Sequence, residues 1–403
     1  MKVAVIGAGA AGYFAAISVK AHHPNSEVFL FEKTNKVLAK VRVSGGGRCN
    51  VTHHCLNNRL LAENYPRGQK FLKTAFDQFN VSDTIGWYES RGVKLKTESD
   101  NRMFPESDSS ESIRKCLMDE ALNLKVQLSL NQHIMSIDWC AKEWVLTFGK
   151  GEEKVDCIIV ATGGSPKRQG LKWLEDLGHQ VVEPQPSLFS FNMPNEPIRE
   201  LMGVSVQQAE VRLVGSKLKA NGPLLITHWG MSGPAILKLS AFGARVLSDK
   251  NYDFSCQVNW LGNTNEHELR EIFDNVLKEV GNRQIGNKNP FELPTRLWEY
   301  LVTKSSISLS KPWRDLPKKE LNRLINTLFN DTYEIRGKTT FKEEFVTAGG
   351  VALDDIDPDT MKSKVCPNLY FAGEVMDIDG ITGGFNFQAA WTTGFIAGKL
   401  GGR

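Results

Sequence analysis

The chain has 403 residues, too many for one small core and enough for two or three domains. Its 41% hydrophobic and 24% charged content is that of an ordinary soluble protein, and a net charge of +3 argues against nucleic acid or an anionic membrane as partner. The 7 cysteines are scattered with no C-x-x-C pair, which excludes a disulfide framework and a zinc or other metal site and fits the reducing cytoplasm; no apolar run approaches the roughly 18 residues of a membrane span.

Lys2 to Ile6 is a short apolar run that reads as a strand, and Gly7-Ala8-Gly9-Ala10-Ala11-Gly12 follows at once. An Ala-rich stretch from Ala15 to Lys20 then reads as a helix. Strand, G-x-G-x-x-G and helix together are the dinucleotide-binding fingerprint in its required context. Gly7 permits the tight turn, Gly9 lets backbone approach a pyrophosphate, and Gly12 lets helix and strand pack closely. The N–H groups that open the helix hold the phosphates. The glycine spacing and single Lys of this N-terminus exclude a secretory signal. A second strand, Glu27 to Phe31, ends in Glu32, about 20 residues beyond Gly12, where an acid holds a ribose hydroxyl.

A second Gly-rich segment runs from Lys40 through Ser44-Gly45-Gly46-Gly47-Arg48-Cys49-Asn50 to Thr52. Three glycines between cationic side chains suit a loop whose N–H groups wrap an anion, with Lys40 and Arg48 supplying charge. The competing reading is a plain surface turn, against which Val43 and Val51 stand as apolar anchors. Cys49 and Cys55 are weighed as a redox pair, as inert thiols, or as one flavin-contacting thiol. The five residues between them, including His53-His54, are one more than flavin disulfide reductases use. Arg102 to Pro105 (RMFP) joins a cation to an aromatic, as a cover over a flavin or as a turn. Ser110 to Asn123 reads as an amphipathic helix, and Val126 to Ser129, Ile134 to Trp139 and Trp144 to Phe148 as strands. Val155 to Ala161 is a buried-strand pattern closed by Thr162-Gly163-Gly164.

Composition shifts after Pro184-Gln185-Pro186. Gln207 to Leu213, Leu224 to His228 and Tyr252 to Val258 alternate as strands of a small sheet or barrel. Glu266 to Val280, Pro294 to Thr303 and Lys318 to Phe329 have helical periodicity. Ile335 to Phe341 and Phe345 to Thr347 return to strand. His228, at the end of a strand beside glycines, is a candidate proton donor, weighed against a packed structural histidine. Asn368 to Glu374 is again a buried strand ending in glycine, followed by Gly380 to Asn386 and a last helix from Phe387 to Leu400. Gly383 and Gly384 precede unpaired first-turn N–H groups, a positive end suited to the anion formed when a flavin is reduced. Ala390, Gly394 and Gly398 recur every four residues and make a smooth face for close packing. The economical reading is one nucleotide-binding domain built from both chain ends around an insertion of roughly 150 residues.

These residues resemble one family, the bacterial FAD-dependent flavoproteins of the YhiN/BaiN type, which include aminoacetone oxidases and a gut bile-acid reductase. The segments that carry the likeness are GAGAAG at Gly7 to Gly12, FEK at Phe31 to Lys33, SGGGRCNVT at Ser44 to Thr52 and MFPESD at Met103 to Asp108. They continue with ATGG at Ala161 to Gly164, THWGMSGPAIL at Thr227 to Leu237, TAGGV at Thr347 to Val351 and FAGEVMDIDGITGGFNFQ at Phe371 to Gln388. The resemblance implies an α/β Rossmann-like FAD-binding domain of the two-dinucleotide-binding-domains type, with an inserted small β-barrel and a helical subdomain. The expected limits are 1–188 with 342–403, 189–262 with 331–341, and 263–330. It further implies that Gly9, Ala10, Ala11 and Gly12 hold the pyrophosphate, and Glu32 with Lys33 the adenosine ribose. Ser44, Gly45, Gly46, Gly47, Arg48, Cys49 and Asn50, with Lys40, wrap the flavin and ribityl chain. Ala161, Thr162 and Gly163 close the second crossover; Gly373, Glu374 and Asp377 line ribityl and phosphates; Gly383, Gly384, Phe385 and Asn386 line the ring. Three departures stand out: Ser165 to Leu171 is shorter and more basic than usual, His53 replaces an Asn, and Trp229 stands at the aromatic position of the TH-x-G segment.

The expectation is a cytoplasmic FAD-dependent oxidoreductase that passes hydride between flavin N5 and a small organic molecule near His228, Trp229 and Gly349-Gly350. No second G-x-G-x-x-G is present, so NAD(P)H would bind transiently, or oxygen would reoxidise the flavin. Catalytic candidates are His228 and Cys49, and the oligomeric state stays open. The rivals are a disulfide reductase using Cys49 and Cys55, a non-enzymatic FAD redox sensor, and an FAD-dependent RNA-modifying enzyme. Weak net charge and the lack of a basic arm argue against the last.

Overall fold

The computed structural model describes residues 1–262, 264–339 and 346–402. The expected strand ends at Phe341 and Phe345, and the domain limits at 341 and 342, lie outside those residues. The chain divides into two compact units, Met1–Ser187 with Phe341–Arg403, and Leu188–Thr340.

The first unit is organised by a parallel five-stranded sheet. Its strands are β1 (Lys2–Ile6), β2 (Glu27–Phe31), β3 (Gln127–Ser129), β4 (Cys157–Val160) and β5 (Leu369–Phe371), in the spatial order β5-β4-β1-β2-β3. All four pairings are parallel. The central strands are near-continuous apolar runs because both faces are covered; Val3, Val5, Val28, Leu30, Ile158 and Ile159 are fully buried. Two helices carry the packing that matters most here: α1 (Ala10–His22) and α2 (Phe385–Gly398). A Cβ placed on Gly394 would lie 2.7 Å from the Ala11 carbonyl oxygen, and one on Gly398 would lie 2.4 Å from the Ser18 Cβ. The Ser18 hydroxyl donates to the Phe395 carbonyl at 2.7 Å. The every-fourth-residue pattern of small side chains is therefore a helix–helix contact face.

Around this sheet stand the strands Thr52–His53, Arg102–Pro105 and Leu95–Thr97, a meander over Ile134–Cys140, Glu143–Phe148 and Glu152–Val155, and one further pair. That pair joins Val181–Ser187 to Val346–Val351, so the composition shift after Pro184-Gln185-Pro186 falls at the end of a strand, beside the limit between the two units at Ser187 and Leu188. The prolines sit inside a two-stranded ladder whose register shifts between Val182 and Gln185, the bulged edge setting in which proline is tolerated. Three helices, Asn58–Ala62, Gln69–Phe76 and Val81–Glu89, were not anticipated.

The second unit holds a seven-stranded antiparallel sheet. Its strands run in the order Asp331–Arg336, Asp253–Asn259, Ser205–Leu213, Lys219–Ile226, Gly230–Ser232, Ser190–Asn192, Lys338–Thr339. The helix Pro234–Asp249 starts with proline in its first turn, where the missing N–H costs nothing. Helices Glu266–Val280, Thr295–Lys304 and Lys318–Phe329 follow the expected periodicity. They enclose Trp298 and Trp313, both fully buried, and Trp298 satisfies its indole N–H on the Ile285 carbonyl at 2.9 Å. No helix among the described residues is long and apolar enough to cross a membrane.

Overpacking the α1–α2 face is expected to destabilise the first unit by about 1–3 kcal/mol. Gly398→Val should therefore lower the melting temperature measured by circular dichroism. Gly149→Ala, where an added Cβ meets nothing within 4 Å, should leave it unchanged.

Candidate functional site

The carboxyl ends of three neighbouring strands gather the first group of candidate residues. Gly7 N–H donates to Phe31 O at 2.8 Å, Ala161 N–H to Ile6 O at 2.9 Å, and Ala372 N–H to Val160 O at 2.9 Å. These bonds set Gly7, Ala161 and Gly373 side by side, where β1 is flanked by β2 on one side and β4 on the other. That is the switch point at which open parallel sheets bind ligands.

The glycines of the first loop divide into two kinds. A Cβ on Gly12 would sit 1.8 Å from Gly7 O, and one on Gly7 would sit 2.5 Å from Ala161 O. Packing alone forbids side chains there. Gly9 is different: nothing lies within 4 Å of its added Cβ, and the same holds for Gly46, Gly47 and Gly163. No side chain caps the start of α1 behind Gly9. A bare, positive helix end beside glycines that face open space fits a pyrophosphate.

Carboxylates brace this cradle. Glu32 accepts the Ala8 N–H at 3.1 Å with one oxygen and both the Thr34 N–H and hydroxyl at 2.9 Å with the other. Lys33 is exposed. Glu374 receives Lys40 Nζ at 2.7 Å and the Thr347 N–H at 2.8 Å, which ties the second Gly-rich segment to the Val346–Val351 strand. Asp377 accepts the Gly349 N–H at 2.9 Å.

The second Gly-rich segment is not a simple loop. It begins as a helix at Ala39 and breaks at Ser44 (ψ 149°), after which Gly45 and Gly46 take positive φ. Arg48 lies 4.0 Å over the Phe104 ring and pairs with Glu98 at 2.6 Å. The RMFP stretch is thus a strand that seats Arg48. Cys49 is fully buried, and burial pushes its thiol up to about 12, so it is a neutral packed thiol at working pH. That corrects its place among the catalytic candidates, because a nucleophilic thiol needs exposure and thiolate character. Burial also raises the Cys55 thiol.

The C-terminal loop crosses this segment at glycine distance. A Cβ on Gly384 would lie 2.5 Å from the Thr52 carbonyl. The Asn50 amide oxygen accepts the Gly384 N–H at 3.0 Å, and His53 Nδ1 meets the Gly383 carbonyl at 3.1 Å while its ring stacks on Phe385 at 4.6 Å. Burial lowers the His53 pKa. Asn386 turns back on Gly380, accepting its N–H at 2.8 Å and donating to its carbonyl at 3.0 Å. Asn386 therefore closes the loop that Gly383 to Phe385 present.

His228 does not end a strand: the strand stops at Ile226, and His228 is exposed in the following turn. It belongs to the other unit. Its carbonyl takes the Arg199 Nε at 2.8 Å, and its ring meets the Trp229 ring edge-on at 4.2 Å.

Two buried groups escaped sequence reading. Asp379, with no exposed surface, is gripped by the Arg67 guanidinium and accepts the Ser187 hydroxyl at 2.6 Å. Burial pushes its carboxyl up to about 6 against the pull of Arg67. Gln388 receives the hydroxyls of Thr52 at 2.6 Å and Thr84 at 3.0 Å and donates to Thr392 at 3.1 Å. No local spacing announces partners so far apart in sequence; the sole hint was that Asp379 and Gln388 flank the GITGGFN segment.

Residues 1–400 match the family model described as the HI0933-like protein Rossmann domain. Curated relatives include a 3-dehydro-bile acid delta(4,6)-reductase of Clostridium scindens, 26% identical and aligned over 99% of this chain and 98% of its own. A ribosomal RNA dihydrouridine synthase of Escherichia coli is 29% identical, over 98% of this chain and 96% of its own. A 3-ketosteroid delta1-dehydrogenase from Sterolibacterium denitrificans, solved with 1,4-androstadiene-3,17-dione, shares the fold with a TM-score of 0.51 at 12% identity over 98% of both chains. The ribosomal RNA relative removes the support for excluding nucleic acid on net charge.

Gly9→Val should fold with a near-native melting temperature yet purify colourless, since only ligand space is filled; Gly12→Val should fail to fold. Arg67→Met leaves a buried carboxylate unpaired and should cost about 3–5 kcal/mol in denaturant titrations. Brief iodoacetamide treatment of native protein near neutral pH should label exposed Cys140 and spare Cys49 by mass spectrometry.

Proposed function

Since the chain belongs to the HI0933-like family of FAD-dependent oxidoreductases, we propose that it reduces a carbon–carbon double bond conjugated to a carbonyl. The observation that carries this reading is the cradle at the strand ends, where Gly9 faces open space beside an uncapped helix start. The two relatives' names supply the direction. A 3-dehydro bile acid unsaturated at positions 4 and 6 and a uracil ring both present an alkene beside a carbonyl. Saturating it takes a hydride at the far carbon and a proton, from solvent, at the near one. Bound and reduced FAD supplies that hydride at N5.

The protein's own part is binding and orientation. Gly9 to Gly12 and the start of α1 hold the pyrophosphate, and Glu32, already braced by Ala8 and Thr34, receives the adenosine ribose with Lys33 at its rim. Ser44 to Asn50, with Lys40, hold the flavin and ribityl chain, Ala161 to Gly163 close the second crossover, and Gly373, Glu374 and Asp377 line the ribityl chain and phosphates. Gly383 to Phe385 bring the uncapped start of α2 to the pyrimidine edge, where its positive end stabilises added electron density. The disulfide-reductase alternative loses its main support with the burial of Cys49.

The test is anaerobic. Holoenzyme is photoreduced, then mixed with a 3-oxo-4,6-diene steroid or with uridine-containing RNA while oxidised-flavin absorbance is followed. One conjugated acceptor should restore the absorbance, and its saturated counterpart should not. Failure of every conjugated acceptor to restore the absorbance, or equal restoration by its saturated counterpart, would overturn the reading.

A further inference from the structure

Within the Leu188–Thr340 unit two cavities meet at one lysine. The first, about 600 Å³, pairs the apolar Leu201 and Leu309 and the ring of Tyr300 with the polar ends of Glu196, Arg296 and Glu299. The second, about 470 Å³, is lined by Lys319, Asn322, Arg323, Asn326 and Thr327 among others, with no carboxylate among its described lining residues. Lys304 lines both.

The local chemistry differs sharply from the chain average. From Arg296 to Arg323, 7 Lys and Arg stand against 3 Asp and Glu. Lys319 and Arg323 are exposed four residues apart on the helix Lys318–Phe329, so they share a face. Arg323 Nε donates to the Ser305 carbonyl at 3.1 Å, which fixes its guanidinium at the rim. Lys304 is held at the junction by Asp331 at 2.6 Å, and its ammonium lies 4.1 Å over the Tyr333 ring. One compartment thus offers an aromatic face with donors and acceptors around it. The adjoining one offers cations and amides.

We propose that the two cavities together bind a nucleotide, its base against Tyr300 and its phosphate between Lys319 and Arg323. A flat heterocycle stacks on a tyrosine ring and spends its edge atoms on groups such as Glu196, Glu299 and Arg296. A phosphate takes the basic compartment, whose described lining residues include Lys319 and Arg323 and no carboxylate. The same unit of chemistry comes either in a free dinucleotide or in an RNA strand. The lining residues all belong to the Leu188–Thr340 unit, and the proposal does not depend on the alkene reading.

The test uses FAD-loaded protein, in which the cradle is already filled. NADP⁺ is titrated calorimetrically and a fluorescein-labelled uridine-rich RNA oligonucleotide by polarisation. At least one should bind saturably, and Lys319→Glu should weaken that ligand about tenfold or more and flatten its salt dependence. Tyr300→Leu should weaken it by about tenfold through lost stacking. Flavin content and melting temperature should stay as in the parent for Lys319→Glu, an exposed substitution. RNA bound without NADP⁺ assigns the strand; NADP⁺ alone assigns the dinucleotide. Binding of neither, or binding that Lys319→Glu and Tyr300→Leu leave untouched, overturns the proposal.

Discussion

The first unit depends on two helices approaching closer than side chains permit. Gly394 and Gly398 let α2 press its backbone against Ala11, Ala15 and Ser18 of α1. That contact joins residues near opposite ends of the chain, and it fixes where both helices start. The start of α1 carries the first glycine loop, and the start of α2 carries Gly383 and Gly384. Two positive helix ends are thereby held by a single packed face. Dispersion across it is paid in many small contacts and would be lost with one methyl too many.

Around that face the polar groups act as fasteners. Glu374 bridges Lys40 and Thr347, Asp377 receives Gly349, and Asp379 is locked between Arg67 and Ser187. Three acids within a few residues of one another thus reach three different parts of the same unit. Burying Asp379 raises its carboxyl towards the neutral form, and Arg67 opposes that shift. Removing either partner alone leaves the other without compensation, so the pair makes the approach to Gly380 unique more than it makes it stable. The Gln388 amide does the same on the inner side of α2, where four polar side chains satisfy one another in the absence of water-exposed surface.

Local pattern made much of this legible. The strand–glycine–helix unit and the acid at Glu32 follow from turn geometry, and the helices Ser110–Asn123, Glu266–Val280 and Lys318–Phe329 follow from apolar spacing. What local pattern could not show was pairing at a distance. The strand Val181–Ser187 was missed because Pro184 and Pro186 lie within it and its partner, Val346–Val351, is far along the chain. Arg67 gave no sign of Asp379. The short helices from Asn58 to Glu89 are too brief for a period to stand out. Spacing after a Gly-rich loop left Cys49 open as a redox partner of Cys55 or an inert thiol, and the burial that bears on that choice is not legible from sequence neighbours. The net charge of the whole chain averages over the basic stretch from Arg296 to Arg323.

The position of β5 has a consequence for how the molecule is made. β1 is synthesised more than 350 residues before β5 and α2, which flank the same glycine loop. The nucleotide cradle lacks its far wall until Leu369–Phe371 and α2 have been made. Prosthetic-group capture therefore follows synthesis of the Leu188–Thr340 unit, which has time to fold as a separate body first. A ribosome that stalls before Leu369 would release a product with a complete leading fingerprint and no means of retaining its pigment.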